Sequence, residues 1–183
     1  MRILAISGSG RRHSHNTGLL RAAARALPPG AELELFDGLL EIPPYCEDAD
    51  VDPAPAAVER LRNEIAAADA LLIATPEYNA SIPGVLKNAL DWASRPFPDN
   101  VLRDKPVAVM GASTGLFGAV WAQAELRKVL HHTGARVVDE ELPVGLAAHA
   151  FTDAGELVDA ELRQRLVELV EALTREVGVP VAG

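Results

Sequence analysis

Cysteine is almost missing from this chain. Cys46 stands alone, which excludes an intrachain disulfide and a zinc site built from cysteines only. Aromatic residues are scarce, 4% against 49% hydrophobic residues overall, so the core has to be built from Leu, Val, Ala and Ile, the composition of sheets covered by Ala/Leu-rich helices. No apolar run approaches the roughly 20 residues of a membrane helix, and the run at Met1–Ser7 is too short for a signal peptide. It reads as a first strand, and a cytoplasmic location is expected. Positive charge is in deficit as well. The net charge of −9 argues against a general basic face for nucleic acid or for an anionic membrane, so any phosphate has to be bound locally.

What is present alternates between two periods. Arg2–Ser7 reads as a strand, Gly8–Asn16 as a polar loop, and Thr17–Leu27 as a helix with Leu19, Leu20 and Ala23 on its apolar face. Pro28-Pro29-Gly30 ends that helix, and Glu32–Phe36 alternates as a second strand. A long proline-rich loop, Glu41–Pro55, shows no periodicity, and such loops are more often functional than filler. Ala56–Ala68 places Val58, Leu61 and Ile65 on one helical face and leads into the buried strand Ala70–Ala74. Pro83 opens the next helix, which carries Leu86, Ala89, Leu90 and Ala93. Val107–Met110 is a fourth strand, Ala119–His132 a helix, Arg136–Val138 a fifth strand, and Asp159 caps a last amphipathic helix running to Val177. At 183 residues this is one domain over 1–183.

Strands alternating with helices imply a parallel sheet with right-handed crossovers and helices on both faces. Five of them suit the flavodoxin-like order 2-1-3-4-5. Polar loops after strands one, three and four then share one edge of the sheet, where ligands of open α/β sheets bind. The first loop begins a G-x-G-x-x-G fingerprint at Gly8 and Gly10 but has His13 where the third glycine belongs, although Asp37 is placed as a ribose acceptor. It also lacks the Gly-Lys-Ser/Thr of a nucleoside-triphosphate loop. It does offer Ser9, Arg11, Ser14, Asn16 and Thr17 at a helix amino terminus, a donor set suited to a phosphate monoester. An ordinary loop with Asn16 capping the helix is the plainer alternative. In the third-strand loop, Glu77, Tyr78 and Asn79 supply a carboxylate, a ring and an amide between stiffening prolines, and Ser113–Gly118 is a second glycine-rich loop.

The residues Ser9-x-Arg11-x-x-Ser14-x-Asn16, then Pro76-Glu77-Tyr78-Asn79-x-Ser81-x-Pro83-Gly84-x-x-Lys87-Asn88-Ala89-x-Asp91-Trp92, then Ser113–Gly118, resemble the NAD(P)H-dependent FMN reductases. This flavodoxin-like family includes bacterial quinone, chromate and azo reductases. The similarity covers nearly the whole chain, including Ile42-Pro43-Pro44-Tyr45, and departs at Gly10, where a bulky apolar residue is usual, with His13 and His15 flanking Ser14.

The resemblance implies that Ser9, Arg11, Ser14, Asn16 and Thr17 hold the FMN phosphate, while Pro76, Glu77, Tyr78 and Asn79 line the isoalloxazine largely through backbone groups. Ser113, Thr114 and Gly115, with Phe117 and Gly118, would reach its pyrimidine side. It further implies NADPH or NADH as co-substrate, a small-molecule electron acceptor such as a quinone, and a homodimer or tetramer; from charge and ligand spacing, no nucleic-acid partner and no metal are expected. The FMN would carry the bond-making, so no protein nucleophile is demanded. An FMN electron carrier of the flavodoxin kind, and a flavin-binding sensor without turnover, stand as alternatives. Cys46 and the His13/His15 and His131/His132 pairs carry no recognisable catalytic or metal-ligand spacing. Trp92 and Trp121 read as core or subunit-interface residues.

Overall fold

The computed structural model describes residues 1–179. Five parallel strands, β1 (Arg2–Ser7), β2 (Glu32–Phe36), β3 (Ala70–Thr75), β4 (Pro106–Ala112) and β5 (Arg136–Val144), form one sheet in the order β2-β1-β3-β4-β5. The five helices are α1 (His15–Arg25), α2 (Ala56–Ala67), α3 (Gly84–Ala93), α4 (Val120–His132) and α5 (Ala160–Val177). The expected fold class, topology and order of elements are those found.

Alternation along the central strands divides the core in two. Leu4 and Ile6, Leu71 and Ile73, and Val107 and Val109 face α2, α3 and α4. Their neighbours Ile3 and Ala5, Leu72 and Ala74, and Ala108 and Met110 face α1 and α5. β3 and β4 are buried at every position, as strands covered on both faces must be. The α1 side is rich in alanine, including Ala5, Ala22, Ala23 and Ala74, and small side chains let helix and sheet approach closely. Trp92 is the largest fully buried side chain, on the other face, so of the roles open to it the core is the one it fills.

Several element boundaries differ from those expected, by one or two residues at most ends, and two of the differences have a structural reason. The first helix starts at His15 and is capped by Ser14, whose Oγ accepts the Thr17 N–H at 3.3 Å; Asn16 lies inside the helix. The fifth strand extends to Val144, well beyond Val138. Its acidic stretch Asp139-Glu140-Glu141 and Pro143 hide it from pattern reading. At the sheet edge, however, charged residues remain solvated and a proline costs no ladder bond on its free side. An irregularity between Val107 and Val109 absorbs the extra residues: Val107 pairs with Val137, but Val109 pairs with Glu141.

The long loop after β2 contains two short 3-10 turns, Leu39–Glu41 and Glu47–Ala49. Beyond the backbone bonds of those turns, it is held by side chains of α3 and α2. Asn88 Oδ1 accepts the Tyr45 N–H at 2.7 Å, Asn88 Nδ2 donates to the Pro43 carbonyl at 2.9 Å, and Trp92 Nε1 donates to the same carbonyl at 2.8 Å. Arg62 ties the later part by donating to Asp50 Oδ1 and to the Trp92 carbonyl, each at 2.9 Å. A loop without periodicity is thus fixed by side chains that satisfy its backbone.

Candidate functional site

The cleft lies where the ends of three strands meet. β1 leads into Gly8–Ser14, β3 into Pro76–Ser81, and β4 into Ser113–Gly118. Ser9, Arg11, Ser14, His15, Asn16, Pro76, Glu77, Tyr78, Ala112, Ser113 and Thr114 line a cleft of about 140 Å³ between them. A larger hollow of about 460 Å³ lies between α3 and α4, away from the strand ends. Topology singles out the smaller one, because β1 and β3 are neighbours whose following helices, α1 and α3, leave to opposite faces of the sheet.

One end of the cleft is built for an anion. Behind the Ser14 cap, the N–H groups of His15 and Asn16 belong to the first helical turn and have no carbonyl of their own helix to reach. The positive end of the α1 dipole adds to them. Arg11 brings a guanidinium, with one nitrogen donating to the His13 carbonyl at 3.0 Å. The His15 ring stacks parallel to Phe151, with centroids 6.3 Å apart and planes 4° from coplanar. Partial burial, and after it the charge of Arg11, lowers the His15 pKa from its ordinary value. His15 and Ala112 are lining residues that sequence reasoning did not assign to the site. The signal available for His15 was its position beside the predicted cap.

Several motif side chains are already engaged within the protein. Asn16 is 2% exposed, and its amide clasps β4: Nδ2 donates to the Ala112 carbonyl at 3.0 Å while Oδ1 accepts the Ala112 N–H at 2.9 Å. The group it can offer an anion is therefore its backbone N–H. Thr17 donates its hydroxyl to Ser7 Oγ at 2.9 Å and does not line the cleft. Glu77 Oε2 accepts the N–H groups of Trp121 and Ala122, each at 3.1 Å. It caps α4 from another loop, where the residue at the usual position, Ala119, has no side chain able to do so. The one carboxylate lining the cleft thereby turns an oxygen to the amino terminus of α4, whose positive dipole end offsets part of its charge.

The remaining assigned residues sit further out. Asn79 and Ala80, at φ 54° and 59°, form the tight turn of a two-residue hairpin in which Tyr78 and Ser81 exchange backbone hydrogen bonds of 3.0 and 3.1 Å. The Gly115 carbonyl accepts the Leu146 N–H at 2.9 Å. Gly118, at φ 60°, lies so close to the 143–145 backbone that a Cβ there would come within 2.5 Å of it; packing as well as conformation requires glycine. Phe117 is exposed, its ring 5.2 Å from that of Trp121. Asn79, Gly115, Phe117 and Gly118 thus border the cleft's loops without lining its floor. Asp37, the ribose acceptor of the dinucleotide alternative, is paired with Arg60; that hydrogen bond holds its carboxyl below the usual range.

The model of the family described as NADPH-dependent FMN reductase matches residues 1–149. The chain is 45% identical over 174 residues to an NAD(P)H-dependent FMN reductase of Pseudomonas aeruginosa, covering 94% of this chain and 93% of that one. It is 37% identical over 164 residues to a quinone reductase of Escherichia coli K12, with 87% and 86% covered. Among solved structures, the flavoenzyme NAD(P)H:(acceptor) oxidoreductase FerB of Paracoccus denitrificans superposes with a TM-score of 0.85 at 34% identity, over 97% of each chain.

Two outcomes follow from this geometry. Glu77→Ala strips the α4 cap and should cost about 1–2 kcal/mol in urea unfolding with an unchanged slope, whereas Glu77→Gln, which keeps an acceptor, should cost about 0.5 kcal/mol. Equal losses from both would show that the carboxyl oxygen is not what holds the helix. His15 should titrate below its unfolded pKa of about 6.5. Because the folded value is the lower one, protonation penalises the fold as pH falls through that range, and the penalty is absent above the unfolded value. In an NMR titration, Arg11→Ala should raise the His15 midpoint without restoring it fully, since burial is the larger cause. No upward movement would exclude Arg11 as a contributor.

Proposed function

Because the chain belongs to the NADPH-dependent FMN reductase family, we propose that it is an FMN-dependent oxidoreductase that oxidises NAD(P)H and reduces quinones and other small electron acceptors. The observation that carries this reading is the convergence of three strand-end loops on one cleft with an anion-binding end. The donor set fits the cofactor. The first-turn N–H groups, the Ser14 hydroxyl and the Arg11 guanidinium suit a phosphate monoester, and the neighbouring carboxylate of Glu77 is occupied elsewhere.

In this reading Ser9, Arg11, Ser14 and the backbone N–H groups of His15 and Asn16 hold the FMN phosphate. Thr17 contributes indirectly, by fixing Ser7 beneath the loop. Pro76, Glu77 and Tyr78 edge the isoalloxazine through their backbone, and Asn79 holds the turn that shapes that edge. Ser113 and Thr114 border the pyrimidine side, with Gly115, Phe117 and Gly118 forming the outer wall. FMN, when bound, supplies the atom that accepts hydride from NAD(P)H and returns it to the acceptor. The chain's own residues bind, orient and exclude water, and no side chain is required as nucleophile or proton donor. Donor and acceptor use one face in turn, which gives ping-pong kinetics.

Leu116 (72% exposed), Phe117 (62%), Trp121 (49%) and Leu146 (52%) lie on the outer wall, Phe117 against Trp121 and Leu146 bonded through its N–H to the Gly115 carbonyl next to Leu116. Exposed apolar clusters of this kind commonly mark interaction surfaces. This one is assigned to self-association, in a homodimer or tetramer whose interface adjoins the cleft. Trp121 then serves at the subunit interface. No helix among the described residues is long and apolar enough to cross a membrane.

The test is anaerobic stopped-flow absorbance of the FMN-loaded protein mixed with NADPH and, separately, with NADH. Rapid loss of the oxidised-flavin band with at least one donor is expected. Bound FMN that neither donor bleaches would replace this reading with an electron carrier or sensor, and failure to bind FMN would remove it altogether. In light scattering, the wild type should have a dimer or tetramer mass and Trp121→Asp a smaller one; a monomeric wild type would refute the assignment of the patch.

A further inference from the structure

The first loop is contacted from outside by a residue thirty positions downstream. A Cβ on Gly10 would lie 2.7 and 2.9 Å from the two methyl carbons of Leu40 and 3.1 Å from its Cγ, so the Leu40 side chain occupies the space a side chain at position 10 would fill. Gly10 is the peptide between Ser9 and Arg11, both of which line the cleft. The side-chain bonds that fix the backbone on either side of Gly10 are long: Ser9 N–H to Ser7 Oγ and Arg11 N–H to Ser9 Oγ both measure 3.4 Å, at the weak end of hydrogen bonding, and the one bond of ordinary length, from the Arg11 guanidinium to the His13 carbonyl at 3.0 Å, lies on the far side of Arg11. Leu40 itself is 62% exposed, while its neighbours Leu39 and Ile42 are buried in the core. A leucine kept at the surface between two anchored residues, with its methyls on a glycine, is not there for core burial.

The position of Leu40 is set in turn by α3. Asn88 and Trp92 fix Pro43 and Tyr45, which places the 3-10 turn Leu39–Glu41 over the first loop. We infer that Leu40 is a positioning residue for the phosphate end of the site: it presses on Gly10 and holds Ser9 and Arg11 in place for an anion. This rests on the phosphate placement given above. Preorganising a loop raises affinity by removing the ordering cost from the binding step, so loss of the contact should act on the phosphate and not on the ring.

The experiment measures dissociation constants of FMN and of riboflavin for the flavin-free full chain, by flavin fluorescence, in four proteins. Riboflavin lacks the phosphate, so the riboflavin-to-FMN ratio of constants reports that end alone. Arg11→Ala should lower the ratio, which checks the phosphate placement. Leu40→Ala should lower it about threefold to tenfold, with riboflavin binding and the thermal midpoint little changed. Gly10 has no positive φ, so its backbone accepts a side chain once the space is vacated. Gly10→Leu combined with Leu40→Ala should therefore recover most of the loss. An unchanged ratio in Leu40→Ala, beside a lowered one in Arg11→Ala, overturns the inference and leaves the phosphate placement standing. An unchanged ratio in Arg11→Ala overturns the placement and the inference together. Equal weakening of both ligands by Leu40→Ala overturns the inference in favour of a general structural role.

Discussion

Two parallel strands cannot be joined by a tight turn; the chain has to cross back over a face of the sheet before it can lay down the next one. Every strand therefore begins at one edge and ends at the other, and every polar loop that leaves a strand end in this molecule is delivered to the same side. The order β2-β1-β3-β4-β5 adds the second condition. With β1 and β3 adjacent and their helices departing to opposite faces, a crevice opens between the two strand ends. The cleft is a consequence of connectivity, and the loops need only supply its chemistry.

Much of the polar vocabulary of those loops is used to hold them. Asn16 joins α1 to β4, Glu77 joins the β3 loop to α4, and Asn88 with Trp92 joins α3 to the loop after β2. Each satisfies backbone groups that no helix or ladder reaches, and leaving such groups unpaired is costly. A ligand then meets a frame already ordered. Backbone N–H groups that stay free at the mouth of such a frame act as fixed dipoles, and they do so without the entropic cost of placing a long side chain.

This also reconciles a chain of net charge −9 with an anion-binding cleft. The global charge is spread over the surface and screened beyond about a Debye length, roughly 8–10 Å. The favourable local field comes from the α1 amino terminus and Arg11, while the adjacent Glu77 carboxylate is turned to the positive end of α4, which offsets part of its charge. Proximity and orientation decide the sign that a phosphate would feel.

The order of strands and helices, the five-stranded topology and the three loops at one edge were legible in the sequence, because periods of 2 and 3.6 and the turn residues between them are local properties. Asp159 as a helix cap was legible for the same reason. The reach of β5 past Val138 was not, since acidic residues and Pro143 are tolerated only at an edge, and edge position is known only after the sheet assembles. Nor could the sequence say that the Asn16 amide would be consumed by Ala112, ninety-six residues away, that Glu77 would cap α4, or that Leu40 would fill the space above Gly10. The sequence by itself determined which donors and acceptors arrive at the cleft. Only the tertiary structure decided which of them remain free there, because a hydrogen-bonding group is spent or available according to the neighbours that folding brings to it.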